Sequence, residues 1–340
     1  TNSQSRIIED YLRRANLSYR IVGGVKFYER KEIKDLIAYI RLLTNGKDSL
    51  ALSRVINVPA RGVGATTLRK IENLAIEKNS SLWEVLELIV ESPDDYKHLR
   101  LSKNVRSSLM QFVTLIQDCK LLADNGDKLS SIYDKILSES GYENALKIKK
   151  DYESIARLEN LDELKNAIVQ YEVSVSSPSF MGFLEGITLD NTNDLVEGED
   201  SKQGEISMMT VHGAKGLEFP YVFISGVEEN LFPSYKSMEN GDVALEEERR
   251  LFYVAMTRAM KRLYIVFSQA RMLFGQLKFN GPSRFILELP EKYYHWHKNS
   301  SDKFDCEEEN SWDEFSQEVS YDDGPSFQVG EDYFTYPKGS

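Results

Sequence analysis

The sequence has few cysteines and histidines and no long apolar run. Of its 340 residues, 2 are cysteine and 4 are histidine. Cys119 and Cys306 lie far apart, which excludes a disulfide framework and a cysteine-rich metal site. No apolar run approaches the ~20 residues that cross a bilayer, and the polar first residues give no sign of a signal sequence. We therefore expect a reduced, cytoplasmic protein without contact to a membrane.

Two nucleotide-binding patterns are also missing. The sequence contains no Gly-x-x-x-x-Gly-Lys-Ser/Thr loop, whose backbone amides would hold nucleotide phosphates. It also contains no apolar strand ending in Asp-Glu that could hold magnesium. We therefore expect that this chain by itself does not hydrolyse ATP.

Acidic residues outnumber basic ones, but unevenly. The formal net charge is −12, and residues 291–340 hold 13 Asp or Glu against 4 Lys or Arg. This composition, with few branched aliphatic residues, is typical of a solvated linker. We expect residues 291–340 to form an acidic, flexible tail, so the charge of the remainder does not exclude nucleic-acid binding.

Apolar periodicity predicts an α/β region that is interrupted by a helical one. A helix is expected from Ser5 to about Ala15, a strand at 19–22 and a second helix at about 31–43. In the first helix, Ile7, Ile8, Tyr11 and Leu12 form an apolar stripe at helical spacing. Residues 51–187 are almost wholly helical in pattern, with breaks at 91–95 and 176–179 where Pro and Ser occur.

Small residues surround a Lys and a Glu in the first of two informative stretches, Met209-Thr210-Val211-His212-Gly213-Ala214-Lys215-Gly216-Leu217-Glu218-Phe219. Strand-like runs at 206–209 and 221–224 flank it. Small residues let a ligand come close, and α/β sheets place ligands in loops at the ends of buried strands. The stretch therefore predicts a ligand-binding loop.

An arginine stands at the end of an element in the second stretch, Glu247-Glu248-Arg249-Arg250-Leu251-Phe252-Tyr253-Val254-Ala255-Met256-Thr257-Arg258-Ala259. Its pattern predicts a helix that ends near Arg258, before a strand at 263–267. A rigidly held guanidinium in such a place can neutralise charge on a transferring phosphoryl group. The plain alternative is a solvated or salt-bridged Arg at a helix end.

In order and spacing, these stretches closely resemble the fifth and sixth motifs of superfamily-1 helicases of the UvrD/PcrA/Rep type. Further matches cover most of residues 1–290 and are Thr1–Arg6, Gly23–Asp35, Pro59–Gly64, Gly226–Pro233 and Pro282–Phe285. The first of these resembles the fourth motif, and the phosphate-binding parts of the family precede it. We therefore expect the C-terminal half of a longer protein, a natural truncation or a subunit of a split motor being the alternatives.

The resemblance implies a fold and its domains. Residues 1–50 and 188–290 are expected to form a RecA-like domain, called 2A, of the P-loop NTPase type but without the P-loop. Residues 51–187 are expected to form its all-helical insertion, called 2B. A strand that should precede Thr1 is missing, which leaves the completeness of the sheet open.

The resemblance also assigns roles to residues. Lys215, Gly216, Glu218 and Arg258 are expected at the nucleotide, with Glu218 bonding the ribose and Arg258 acting as the catalytic arginine finger. Asn2, Thr210 and His212 are expected at single-stranded DNA. Arg61, Gly62, Gly64 and Thr66 are expected at duplex DNA, where a turn and a helix N-terminus can bind one phosphate. Surface positions or turn caps are the plain alternatives, Thr210 being a candidate cap.

The function implied is that of an ATP-dependent 3′–5′ DNA helicase of repair or replication restart. ATP with Mg²⁺ is the expected cofactor, with the Mg²⁺ ligands in the missing N-terminal half. Expected partners are single-stranded DNA, a duplex junction, the N-terminal motor domains, and repair or transcription proteins that dock on 2B or the tail. The alternative is a non-catalytic docking module that regulates a motor supplied by another chain.

Overall fold

Helices dominate the structure, a computed structural model that describes residues 4–192, 205–273 and 276–297. In chain order the helices are α1 (Ser5–Arg14), α2 (Lys31–Thr44), α3 (Ser49–Val55), α4 (Ala65–Lys78), α5 (Leu82–Glu91), α6 (Lys103–Asp124), α7 (Leu129–Glu139), α8 (Tyr142–Lys149), α9 (Tyr152–Ser174), α10 (Phe180–Thr192), α11 (Tyr235–Glu239), α12 (Asp242–Met256) and α13 (Arg284–Leu287). The strands are β1 (Tyr19–Ile21), β2 (Ile206–Met208), β3 (Phe219–Ser225), β4 (Ala259–Val266), β5 (Ala270–Leu273) and β6 (Gln276–Phe279).

The described strands form three separate pairs. β1 pairs with β2 and β3 with β4, both in parallel, whereas β5 and β6 are antiparallel. In the second pair, Phe219 stands opposite Ala259, and the register shifts between Phe219 and Tyr221. Parallel pairing of strands that are distant in sequence agrees with the expected α/β class. One continuous RecA-like sheet is not seen among the described strands and stays a prediction.

Helix boundaries follow local sequence signals. Ser81 begins α5 with a capping box, because its side chain accepts from the Glu84 amide while Glu84 bonds the Ser81 amide. The side chains of Asp48, Ser102 and Asp151 likewise accept a hydrogen bond from an amide in the first turn of α3, α6 and α9, respectively. The breaks expected at 91–95 and 176–179 are confirmed, since α5 ends at Glu91 and α9 at Ser174.

A single apolar core joins α2 to the helices that follow it. α2 packs against α3, α6, α9 and α10, and its Leu36, Tyr39 and Ile40 are fully buried. Buried tyrosines place their hydroxyls on internal acceptors: Tyr39 bonds the Val58 carbonyl at 2.5 Å and Tyr133 the Leu161 carbonyl at 2.9 Å. Each buried donor is thereby satisfied.

α1 buries charged residues, whereas Ile7, Ile8 and Leu12 of the apolar stripe are only half-buried. Arg6, Glu9 and Arg13 are buried, whereas Tyr11 is 68% exposed. Paired partners make this possible. Arg6 bonds Glu163 of α9 at 2.6 Å, Gln170 of α9 at 3.0 Å and Asp10 at 2.9 Å, and Arg13 also contacts Asp10.

Chain contacts divide the protein into two compact units. The first contains residues 1–214 and 269–280, and the second residues 215–268 and 281–340. α2 lies in the first unit with the helices of the expected insertion, because its apolar face is buried among them. The predicted boundaries at residues 50, 188 and 290 differ from this division and stay a prediction.

The ionic contacts of α1 lead to a stability prediction. Arg6→Ala leaves Glu163 without its buried cationic partner, although Asp10 keeps Arg13, and breaking a buried pair costs about 3–5 kcal/mol. We expect the urea midpoint of the first unit to fall accordingly in circular dichroism. Arg14→Ala, on the exposed side of the same helix, should change the free energy of unfolding by less than about 0.5 kcal/mol. Equal losses of stability in Arg6→Ala and Arg14→Ala would contradict a stabilising role for the ion pairs of Arg6.

Asp162 on α9 gives a pH prediction. Burial, followed by Glu143 and Asp134, raises the pKa of Asp162 to about 6, although Lys165 opposes this. The protonated form is therefore favoured in the folded state, and its stabilisation is lost as the pH rises through 6. We expect Asp162→Asn to raise the urea midpoint more at pH 7.5 than at pH 4.5. Asp118→Asn, at an exposed position, is the control. A rise in the urea midpoint of Asp162→Asn that is the same at both pH values would contradict a raised pKa of Asp162.

Candidate functional site

Arg258 lies in the second unit, between the end of α12 and the start of β4. Its amide donates to the Ala255 carbonyl at 3.2 Å, and its carbonyl accepts from the Phe219 amide at 2.9 Å. The helix is expected here because Phe252 and Ala255 recur at helical spacing and are buried. The position at an element terminus is confirmed.

Backbone and hydroxyl acceptors orient the Arg258 guanidinium. Nε donates to the Val254 carbonyl at 3.0 Å, Nη1 to the Leu217 carbonyl at 2.9 Å and Nη2 to the Thr257 hydroxyl at 3.0 Å. The side chain is half-buried. A guanidinium has five N–H donors. Three of them bond to acceptors among the described residues, so two remain for an acceptor on a bound molecule. The contacts fix the direction of the charge without burying it.

The segment that supplies the Leu217 carbonyl holds the other candidate nucleotide residues. Lys215, Gly216 and Glu218 are all exposed. Gly216 has φ +84°, a conformation that L side chains rarely adopt. Because Leu217 bonds Arg258 directly, Glu218 and Arg258 lie in neighbouring chain segments. The structure thus places the segment that carries the exposed Glu218 beside the oriented Arg258 guanidinium. The contacts of both residues with a nucleotide stay a prediction.

Thr210 and His212 lie in the first unit. The Thr210 hydroxyl accepts from the Gly213 amide at 3.2 Å, and its carbonyl accepts from the Ala214 amide at 3.1 Å. Thr210 therefore caps a turn, as its plain alternative expected, and His212 is exposed on that turn. Asn2 lies outside the described residues. Their contacts with single-stranded DNA stay a prediction.

An aromatic cluster supports α12 from within the second unit. The Phe252 ring lies 5.7 Å from that of Phe285 and 5.9 Å from that of Phe232. Arg284 reinforces it by donating Nε to Glu229 at 2.8 Å, while its amide donates to the other Glu229 oxygen at 3.0 Å. Two family-like segments noted separately in the sequence, 226–233 and 282–285, are therefore one structural support.

The turn before α4 is built on glycine and asparagine. Gly62 has φ +75°, and a Cβ there would lie 3.0 Å from a Val105 methyl. Asn57 accepts from the Arg61 amide at 2.7 Å and from the Val63 amide at 3.1 Å. Gly64 precedes α4 as its N-cap, and Thr66 is exposed in the first turn. The sequence pattern did not single out Asn57. Its position four residues before a turn that contains glycine was the available signal for this role.

The Arg61 side chain has an internal role. Its Nη1 donates to the Val55 carbonyl at 2.9 Å, its Nη2 donates to the Tyr39 hydroxyl at 2.7 Å, and its guanidinium lies 4.9 Å from the centre of the Phe112 ring. The guanidinium thus ties the end of α3 to the helical core. For Arg61, Gly62, Gly64 and Thr66, contact with duplex DNA stays a prediction.

Among the described residues, no group of three or more His, Cys, Asp or Glu is placed to hold a metal ion. No described helix combines the length and the apolarity that a bilayer span requires.

Comparisons with known proteins identify the family of the chain. The family model for the UvrD-like helicase C-terminal domain matches residues 1–270. "ATP-dependent DNA helicase PcrA" of Staphylococcus aureus (strain MRSA252) is 40% identical over 302 residues, which cover 88% of this chain and 40% of that protein. The protein of the same name from Staphylococcus epidermidis (strain ATCC 12228 / FDA PCI 1200) is 41% identical over 294 residues, covering 86% and 39%. The chain thus spans about 40% of the length of these relatives.

The support of α12 leads to a prediction. Phe252 is 2% exposed and its neighbour Tyr253 is 65% exposed. Phe252→Ala should destabilise the second unit by about 3–5 kcal/mol, because it removes the centre of the aromatic cluster. Tyr253→Ala is the matched control on the same helix and should cost less than about 1 kcal/mol. Hydrogen exchange at α12 amides measures both, and similar protection in the two variants would contradict this packing.

Proposed function

Because this chain belongs to the UvrD-like helicase C-terminal domain family, we propose that it is the C-terminal part of an ATP-dependent DNA helicase and supplies its arginine finger, Arg258. The observation that supports this most is the orientation of the Arg258 guanidinium by Val254, Leu217 and Thr257. A preorganised charge needs no reorganisation when negative charge develops on a phosphoryl group. The relatives named as ATP-dependent DNA helicases do not favour the alternative, a non-catalytic docking module.

In this proposal, Arg258 acts across a cleft. A separate motor lobe holds ATP and its Mg²⁺, and closure brings the two free N–H donors of Arg258 to the γ-phosphate. Glu218 accepts a hydrogen bond from the ribose hydroxyl, and Lys215 adds positive charge near the phosphates. Gly216 keeps the backbone in a conformation that leaves room for the nucleotide.

The proposed DNA contacts are sequence-neutral. Asn2, Thr210 and His212 contact the backbone of a single strand, and the turn formed by Gly62, Gly64 and Thr66 contacts duplex phosphate through backbone amides. We propose that the nucleotide cycle moves these surfaces, so that ATP hydrolysis drives steps along one strand. We propose 3′–5′ movement, in DNA repair or replication restart, in the cytoplasm.

The arginine finger is tested in a protein that joins this chain to an N-terminal helicase half with a phosphate-binding loop. Arg258→Ala is expected to lower DNA-stimulated ATP turnover about 10³-fold or more. ATP affinity should change much less, because the finger acts mainly in the transition state. Steady-state hydrolysis and equilibrium binding of an ATP analogue separate the two effects.

Arg250→Ala is the matched control, because Arg250 lies on α12, is exposed and pairs with Glu247 at 3.0 Å. It should leave turnover within about twofold of the parent protein, as surface substitutions usually do. Equal turnover in Arg258→Ala and the parent would overturn the proposal. A parallel fall in turnover and ATP affinity would assign Arg258 to ground-state binding instead.

A further inference from the structure

A cavity of about 310 Å³ opens in the first unit between α5, α6 and the loop after α2. We call it the Trp83 pocket, and we propose that it binds a short segment of a partner protein that carries an apolar side chain beside a basic one. The pocket uses none of the residues proposed to contact nucleotide or DNA. The inference is therefore independent of the proposed function.

The inner wall of the Trp83 pocket is apolar. Leu42 and Ile116 are buried beneath it, Trp83 is half-buried, and Leu121 is exposed at its edge. A volume of about 310 Å³ lies at the lower end of the range for ligand pockets. Tryptophan is also among the residues that most often dominate binding energy at protein interfaces. These features suit one or two large apolar side chains.

Gly46 keeps the indole accessible. A Cβ at this position would lie 3.4 Å from Cδ1 of Trp83, so a larger side chain would occupy the space beside the ring. The φ of Gly46 is not in the left-handed region that favours glycine. A Cβ at residue 46 would thus make only an ordinary contact with the ring, and the residue affects access to Trp83 through the size of its side chain.

Carboxylates at the rim of the pocket determine the kind of partner. Oε1 of Glu87 accepts a hydrogen bond from Gln117 at 3.0 Å. Among the described residues no hydrogen bond to its Oε2 is seen, so this oxygen is available to a partner. Asp124 also lines the pocket, as does Lys120, which can donate to a carbonyl of an incoming chain. Two carboxylates disfavour nucleic-acid phosphates and favour a Lys or Arg side chain. The pocket thus fits a basic, apolar peptide segment better than DNA.

The test uses Trp83 as its own reporter. The chain contains 3 tryptophans, so Trp296→Phe with Trp312→Phe leaves only Trp83 to fluoresce. The probes are the hexapeptides acetyl-Gly-Lys-Leu-Leu-Lys-Gly-amide and its counterpart with Glu in place of Lys. We expect saturable changes in Trp83 emission, with the lysine peptide bound about tenfold more tightly because like charges repel the other.

Two exposed residues of α6 give a matched pair of variants. Leu121, at the pocket, is 61% exposed, and Met110, away from it, is 58% exposed. Leu121→Ser should weaken binding of the lysine peptide about tenfold or more, a loss typical of an apolar contact at an interface core, and Met110→Ser should not. Glu87→Gln with Asp124→Asn should abolish the preference for lysine over glutamate.

Three results would overturn the proposal. The first is an unchanged Trp83 emission with the lysine peptide up to about 1 mM, the weak limit of specific binding. The second is equal binding of both peptides, and the third is an equal loss of affinity with Leu121→Ser and Met110→Ser. A duplex oligonucleotide that changes Trp83 emission in a Leu121-dependent way would also overturn it, by identifying the pocket as a nucleic-acid surface.

Discussion

The hydrogen bond from Arg258 to the Leu217 carbonyl, 2.9 Å long, is the contact on which the functional account depends. It joins the end of α12 to the segment that contains Glu218, although 41 residues separate the two in sequence. A free arginine side chain samples many rotamers, and holding it costs up to about 2 kcal/mol of entropy. Here hydrogen bonds to three internal acceptors offset that entropy when the chain folds, so the guanidinium is already oriented when a phosphate binds.

Elsewhere, polar side chains connect elements that are distant in sequence. Glu229 and the exposed Arg284 join two loops beside the aromatic cluster of α12, and the buried Arg6 links α1 to α9. The half-buried Arg61 links α3 to the helical core. The pairs of Arg6 specify which elements meet, since a misplaced partner would leave a buried charge unpaired. The positions of the candidate residues are therefore set by polar contacts as much as by apolar packing.

The sequence predicted what is local. Helix and strand positions, the breaks near Ser92 and Pro178 and the terminal position of Arg258 follow from periodicity and capping, which act over a few residues. The buried face of α1 could not be predicted, because the partners of Arg6 lie more than 150 residues away on α9. For the same reason the sequence did not predict the internal contacts of Arg61, whose acceptors come from α3 and Tyr39. The roles of the candidate residues come from the resemblance and stay predictions.

The central claim is that Arg258 exchanges solvent for a nucleotide phosphate when a second lobe closes. The most direct measurement is a crystal structure of a protein that joins this chain to an ATP-binding half, with a non-hydrolysable ATP analogue bound. The account predicts an Arg258 Nη atom within hydrogen-bond distance of a γ-phosphate oxygen, about 3 Å, with the Leu217 contact kept. A closed, nucleotide-bound structure in which the guanidinium contacts only Leu217, Val254 and Thr257 would contradict it.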